Sequence, residues 1–210
     1  MWEGIFAVTR ILTAIITGVL GPFLIWWVKE RYQDEEDENI KKSINEEVQF
    51  AQEIQDELES IRKEIEGDRV WIAQFHNGGK ILNLPREASM KRISVTHEAT
   101  ASGVSKERRK LNDILVSFFS ETINILLREE HVCFHSKDEN LEPEIRLIIR
   151  ERANEKMHLF AMRDIDGELI GIMGVDFVSG EKGLTDQEVQ YLTVKANLLA
   201  GYVIHGQVEN

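Results

Sequence analysis

The chain has 210 residues and carries 37 acidic against 25 basic residues, for a formal net charge of −12. Phosphate binding requires a basic face, so this balance argues against nucleic acid as a main partner. The single cysteine, Cys133, excludes a disulfide within the chain and fits a reducing compartment.

The first predicted element is an apolar segment over residues 6–28, with the sequence FAVTRILTAIITGVLGPFLIWWV. Residues 11–28 carry no charge, and a helix needs about 20 apolar residues to cross the hydrocarbon core of a bilayer. Trp26 and Trp27 suit the interfacial edge of a membrane. The segment therefore predicts a retained transmembrane anchor over residues 1–33, which contacts the lipid bilayer through residues 6–28. A cleaved signal peptide and a re-entrant segment are the alternatives.

Basic residues are concentrated after this segment, at positions 29, 31, 41 and 42, whereas only Arg10 lies near its start. Lys and Arg mark the cytoplasmic side of a membrane span. We therefore expect a single-pass protein of the inner (cytoplasmic) membrane whose soluble domain faces the cytoplasm.

Residues 34–66 are predicted to form an acidic linker followed by a helical stalk. The stalk has an apolar stripe that advances by just under 3.6 residues per step, at Ile40, Ile44, Val48, Ala51, Ile54, Leu58, Ile61 and Ile65. A stripe this long needs a partner, because an isolated helix cannot bury it. We favour a parallel coiled coil between two copies of the chain, and a later helix of the same chain is the other candidate. Phe50 lies off the stripe and predicts a contact with the folded domain.

Residues 67–210 are predicted to form an α+β domain. Strands are expected at residues 69–75, 91–100 and 131–136, and helices at residues 107–130 and 142–152. Residues 157–177 predict a hairpin around a turn at residues 164–167. Thr185 and Glu188 form a capping box that opens the last helix.

The sequence DGELIGIMGVDF, followed by GLTDQEVQYLTVKANLLAGYV, resembles the closing half of a GAF domain, and DRVWIAQFHNGG resembles the first strand of GAF-type sensory domains. The resemblance covers roughly residues 66–206. It implies a central antiparallel sheet flanked by helices, with the two terminal helices on one face. It also implies a ligand pocket on the other face.

The resemblance assigns the pocket to the ends of the strands. The candidate ligand-binding residues there are Phe75, His76, Asn77, Ser94, Thr96, Glu98, His135 and Asp176. Polar groups at strand ends can fix a small ligand. Alternatively, Asn77 turns the chain and His76 bonds a backbone carbonyl. The sequence names no cofactor.

Known GAF chemistries match this chain poorly. Cys133 is followed by Phe134 rather than by the histidine common in bilin-attaching members, so we expect a buried structural thiol. Reduction of free methionine sulfoxide requires several redox cysteines in the family. The cyclic-nucleotide signature Asn-Lys-Phe-Asp-Glu is echoed only in part and with compressed spacing, at Asn154, Lys156, Phe160 and Asp164.

General catalytic and metal motifs are also missing from the sequence. There is no HExxH, CxxC, Gly-x-Ser-x-Gly or Walker loop. Gly171 and Gly174 lie in a predicted strand, where small residues permit close packing. We therefore expect neither an enzyme nor a metal site.

Two functions fit these features. We favour a membrane-anchored sensory or ligand-binding protein that dimerises through its stalk. Only residues 206–210 follow the last predicted helix, so we expect it to signal to a separate effector protein. The alternative is a membrane-tethered scaffold or assembly factor, bacterial or phage-encoded, that uses the fold for dimerisation and protein docking. A pocket filled by side chains such as Trp71, Phe75 or Met173 would favour the scaffold.

Overall fold

The computed structural model of the chain describes residues 45–77, 91–178 and 182–208. The predicted membrane anchor, the acidic linker and the first part of the predicted stalk lie outside these residues. Within the described ranges, no helix is long and apolar enough to cross a membrane.

The described domain is built from helices on both faces of a single sheet. Helix α1 covers residues 45–64, and short 3-10 turns at Arg108–Lys110 and Val116–Phe119 flank the third strand. The other elements are β1 Arg69–His76, β2 Arg92–Thr100, β3 Ile114–Leu115, α2 Ser120–Leu126, β4 His131–His135, α3 Pro143–Glu151, β5 Lys156–Arg163, β6 Leu169–Phe177 and α4 Asp186–Val208.

The strands form an antiparallel sheet with the order β3-β2-β1-β6-β5-β4. Strands β5 and β6 are the predicted hairpin. In its turn, Asp164 Oδ1 accepts hydrogen bonds from the N–H groups of Asp166 and Glu168, at 3.0 and 2.8 Å. Gly167 has a φ of +85°, which glycine adopts without steric cost. The predicted α+β class is confirmed.

Helices α1 and α4 cover one face of the sheet. On α1, Ile54, Leu58, Ile61 and Ile65 are at most 4 % exposed. They share one apolar core with the sheet and with the α4 residues Leu192, Ala196, Leu199, Ala200 and Val203. The predicted capping box begins α4, since Glu188 Oε2 accepts a hydrogen bond from the Thr185 N–H at 2.7 Å.

Residues 54–65 of the stripe therefore pack against their own domain, which corrects the preferred interpretation of this part as a coiled-coil seam. A stripe of nearly 3.6 residues per step follows a straight helix on a sheet as well as it follows a seam between two helices. Val48, at 64 % exposure, stays uncovered. Phe50 packs against the core and lies edge-on to Tyr202, with ring centroids 6.1 Å apart, as predicted.

The predicted helix over residues 107–130 is wrong in its first half. Asp113 has a φ of +59°, and the chain then extends as β3 beside β2. The Val95 N–H donates to the Leu111 carbonyl at 2.8 Å. The edge of β2 presents backbone groups that need partners, and this segment supplies them. Only residues 120–126 form the α-helix.

Candidate ligand-binding site

An apolar cavity lies on the second face of the sheet, under α2, α3 and the segment before α2. Its volume is about 50 Å³, measured as the space open to the centre of a water molecule, and it is partly open to solvent. Its lining consists of Trp71, Ala73, Ile93, Val95, Leu111, Ile114, Phe119, Thr122, Ile123, Ile145, Ile148, Met157, Leu159 and Ile172.

The floor of the cavity follows from the strand period. Side chains alternate between the two faces of a strand, so alternate residues of β1, β5 and β6 line the cavity while their neighbours enter the core under α1 and α4. Strand β2 contributes Ile93 and Val95 to the lining. Gly174 lies beneath the indole of Trp71, and a β-carbon at this position would overlap that ring. A β-carbon at Gly171 would lie 2.7 Å from the Ala73 carbonyl oxygen. Both glycines thus permit close packing, as the sequence predicted.

Among the described residues, the roof of the cavity contains one polar side chain, and that side chain already has a hydrogen-bond partner. Thr122 on α2 donates its hydroxyl proton to Glu142 Oε2 at 2.8 Å. The same carboxylate accepts hydrogen bonds from the N–H groups of Glu121 and Thr122, each at 3.2 Å, and so satisfies the first turn of α2. The cavity is left with an almost pure hydrocarbon surface.

Two of the predicted residues, Glu98 and Asp176, belong instead to a buried cluster of four charges with Arg69 and Arg152. Arg69 Nη1 donates to Asp176 Oδ2 at 2.8 Å, and its Nε lies 3.2 Å from Glu98 Oε1. Arg152 Nη2 donates to Glu98 Oε1 at 2.9 Å, and its Nη1 lies 3.4 Å from Asp176 Oδ2. Side-chain exposure in the cluster is at most 2 %. The two cations and two anions neutralise one another, so we interpret the cluster as a structural lock, that is, a set of buried ion pairs that holds its four residues together.

Sequence reasoning missed Arg69 and Arg152. A charged residue within an apolar strand needs a buried partner of opposite sign, and Arg69 and Asp176 are such residues. Arg69 and Asp176 lie directly opposite each other in the β1–β6 register, so the strand pairing would have identified this ion pair.

Trp71 connects the cavity to this four-charge cluster. Its ring lines the cavity, while its Nε1 donates to Asp176 Oδ1 at 3.1 Å. The guanidinium carbon of Arg152 lies 5.0 Å from the ring centroid, within the range of a cation–π contact. Among the described residues that line the cavity, Trp71 is the one whose side chain also donates a hydrogen bond to the four-charge cluster.

The eight predicted ligand-binding residues are all outside the lining of the cavity. Phe75 is buried in the same apolar core, and His76 Nε2 lies 2.8 Å from Ser94 Oγ. The remaining polar side chains bond nearby groups. Asn77 accepts a hydrogen bond from the Lys91 N–H at 2.9 Å, and Ser94 accepts one from the Asp113 N–H at 2.7 Å. His135 accepts one from the Lys137 N–H at 3.0 Å, and Thr96 Oγ1 lies 3.1 Å from His97 Nδ1. Their contact with a ligand stays a prediction.

Cys133 lies on the opposite face of the sheet from the cavity, and its side chain is exposed rather than buried as predicted. It is in register with His158, whose ring meets Phe177 of the α1–α4 core. Its Sγ lies 3.6 Å from His158 Nε2, and His158 Nδ1 lies 3.0 Å from His131 Nε2. No group of three metal-type ligands is positioned to hold an ion in the ranges that are described. A thiol on this face cannot attach a molecule held in the cavity.

Solved structures reproduce this architecture. No protein-family model and no curated protein matches the chain. The GAF domain of Thermosynechococcus elongatus PixJ, in its blue-light absorbing form, superposes with a TM-score of 0.58 at 16 % identity, over 78 % of this chain and 89 % of that one. The phycoerythrobilin-bound GAF domain of a cyanobacterial phytochrome gives 0.58 at 12 % identity, over 84 % and 97 %. A far-red cyanobacteriochrome photoreceptor gives 0.59 at 12 % identity, over 86 % and 99 %. The domain has the GAF fold.

Proposed function

We propose that this chain is a membrane-anchored sensor whose GAF domain faces the cytoplasm, holds a small molecule in the apolar cavity and signals to a separate effector protein. Solved domains of the same fold are photoreceptors, some of them described as bilin-bound, which supports a sensory or ligand-binding role. The proposed mechanism is conformational and includes no catalytic step.

The observation that carries the proposal is the double contact of Trp71. A ligand that enters the cavity meets the indole ring, and any shift of that ring changes the hydrogen bond to Asp176. Asp176 is in turn bound to the residues that follow α1. Its carbonyl oxygen accepts a hydrogen bond from the Asp68 N–H at 3.1 Å, and its carboxylate accepts one from Arg69. The state of the cavity can therefore reach the end of α1 in two hydrogen-bonded steps.

We further propose that the sensor works as a homodimer. Two copies anchored in one membrane share an orientation, so equivalent helices meet side by side. Helix α4 offers a stripe for a second copy at Val194, Leu198 and Tyr202, which are 69 %, 48 % and 41 % exposed at steps of four residues. The exposed Val48 of α1 supports a parallel contact between the stalks as well.

A membrane-tethered scaffold is the second candidate function. The same exposed stripe on α4 favours it, because such a face can dock another protein with the cavity empty.

Native mass spectrometry of the full-length chain in lipid nanodiscs tests the two candidates. The sensor predicts a stoichiometric small molecule that is lost in Ile148→Phe, which narrows the cavity. It should remain in Leu147→Phe, the matched change at the exposed neighbour on α3. A wild-type chain that never carries a small molecule would contradict the sensor and leave the scaffold.

Hydrogen exchange tests the route from the cavity to α1. Trp71→Phe keeps an aromatic ring in the cavity and removes the donor to Asp176. For the wild-type chain we expect ligand-dependent protection of the Asp68 amide, and we expect the variant to retain the co-purified molecule but to lose that protection. Unchanged protection in the variant would exclude Trp71 as the connecting residue.

A further inference from the structure

We infer that the molecule held in the cavity is uncharged and apolar, and compact in the part that enters the protein. This inference rests on the proposed function, because it names the chemical class of ligand for the same cavity.

The first reason concerns the polar groups that line the cavity. Among the described residues that line it, two side chains carry a polar atom: the hydroxyl proton of Thr122 is donated to Glu142 at 2.8 Å, and Trp71 Nε1 donates to Asp176 at 3.1 Å. A charged or strongly hydrogen-bonding ligand would leave water without finding partners, and an unpaired buried charge is far more costly than an unpaired hydroxyl or amide. Hydrocarbon surface loses nothing by the same transfer, since its burial is favourable.

The nearby charges do not alter this conclusion. Arg69 and Arg152 are the buried cations close to the cavity, and both are paired with Glu98 and Asp176 at 2.8 to 3.4 Å. None of the four lines the cavity; Trp71 contributes the lining next to them. A carboxylate or phosphate ligand would have to break one of these ion pairs to gain a cation, which leaves the displaced carboxylate buried and unpaired.

The size of the cavity limits how much of the ligand can enter the protein. The space of about 50 Å³ exceeds the roughly 10–15 Å³ that one water molecule requires, so it admits a group of a few non-hydrogen atoms. Because the cavity is partly open to solvent, a larger ligand can extend outward from a compact apolar end. The apolar end is the part that the cavity selects.

Methyl resonances of isoleucine provide a direct readout. Six isoleucines line the cavity, namely Ile93, Ile114, Ile123, Ile145, Ile148 and Ile172. Ile54, Ile61 and Ile65 lie in the core on the other face of the sheet and serve as internal controls. The full-length chain in nanodiscs, labelled at isoleucine δ1 methyls and shown by native mass spectrometry to carry no small molecule, is titrated with 2-methylpropane and, separately, with isopropylammonium. The two probes have the same shape and differ in one charged group.

We expect 2-methylpropane to shift the cavity resonances with saturation and to leave the control set unmoved, and isopropylammonium to bind at least tenfold more weakly. Equal or tighter binding of isopropylammonium would overturn the inference while leaving the cavity a ligand site, so the proposed function would stand. If neither probe moves the cavity set, the inference fails, whereas the proposed function fails only if the wild-type chain also never carries a small molecule. Equal shifts in both sets would mean non-specific partition and would also overturn the inference.

Two variants tie the shifts to the cavity. Ala73→Leu fills the floor and should abolish the 2-methylpropane shifts. If this variant does not fold, Ile148→Phe narrows the cavity from its half-buried rim and should give the same loss, whereas Leu147→Phe should retain wild-type binding. Wild-type binding in a folded Ile148→Phe variant would contradict the assignment.

Discussion

The indole of Trp71 lies on Gly174, so closely that no other residue can occupy position 174 without moving the ring. The two residues face each other across β1 and β6 in the register of the sheet. A glycine in a central strand weakens it in general; here it permits the aromatic floor of the cavity.

Gly174→Ala is therefore expected to be destabilising. The added methyl group must displace Trp71 from its packed position, and overpacking of this kind costs about 2 kcal/mol. Urea denaturation of the full-length chain in detergent measures the change. Gly201→Ala is the matched control, because nothing lies within 4 Å of a β-carbon there and alanine favours a helix interior by up to about 1 kcal/mol. A neutral Gly174→Ala would mean that the ring is free to move.

Arg69→Met is expected to cost about 3–5 kcal/mol in unfolding free energy. The change leaves Asp176 and Glu98 buried with one cation fewer, and an uncompensated buried charge is strongly destabilising. Arg92→Met removes a comparable ion pair with Asp113, 2.8 Å long, whose side chains are 38 % and 59 % exposed. That control should cost less than about 1 kcal/mol. Similar losses for the two variants, from the same denaturation curves, would argue against the lock.

The domain should lose stability as the pH falls from 7 to 5. Burial, with a smaller effect from His131 and Lys156, lowers the pKa of His158 to about 4, while an unfolded histidine titrates near 6.5. Between those values the unfolded chain binds a proton that the folded chain does not, so stability is complete above pH 6.5 and declines toward pH 4. Between pH 7 and pH 5 the His158 contribution to this loss is about 2 kcal/mol.

His158→Gln should remove that part of the decline. His97, whose pKa is also lowered to about 4 by burial and by Arg108, keeps a slope in the variant. Denaturation midpoints at pH 7 and pH 5 give the comparison, and parallel declines for His158→Gln and wild type would refute the assignment.

The exposed stripe on α4 predicts that two copies of the chain can be cross-linked through this helix in membranes. In a Cys133→Ser background, Leu198→Cys should be joined by a short bismaleimide, because the proposed dimer brings this face of two copies together. Leu147→Cys on α3 is equally suited for reaction, with a native side chain 42 % exposed, and should give several-fold less dimer. Yields are measured by denaturing electrophoresis, and equal yields for the two variants would remove α4 as the contact face.

Local chemistry allowed part of the fold to be predicted from the sequence. The turn at Asp164–Gly167 and the capping box of Thr185 and Glu188 depend on neighbouring residues, and both form as expected. The segment around Ile114 has helical apolar spacing but pairs with β2. The backbone groups at the edge of a strand need hydrogen-bond partners, and the local sequence of the partner segment does not reveal this. Periodicity alone could not tell whether Ile54 and Leu58 meet a second chain or their own sheet.

The candidate site was harder to predict, for a physical reason. Polar residues at strand ends stand out in a sequence, and these were the residues singled out. The cavity instead consists of ordinary core residues such as Ile93, Ile123 and Met157, which come from several elements and differ from their neighbours only in facing a gap. Glu98 and Asp176 are conspicuous charges, but they neutralise Arg69 and Arg152.

The shared core of α1 and α4 has a consequence for how the protein is made. Helix α1 is the first described element to leave the ribosome and α4 is the last, yet Ile54 and Leu58 reach their buried state only beside Leu192 and Leu199. Until α4 has emerged, the apolar stripe of α1 is exposed to solvent and open to non-native association. The domain can therefore close only after α4 has been synthesised.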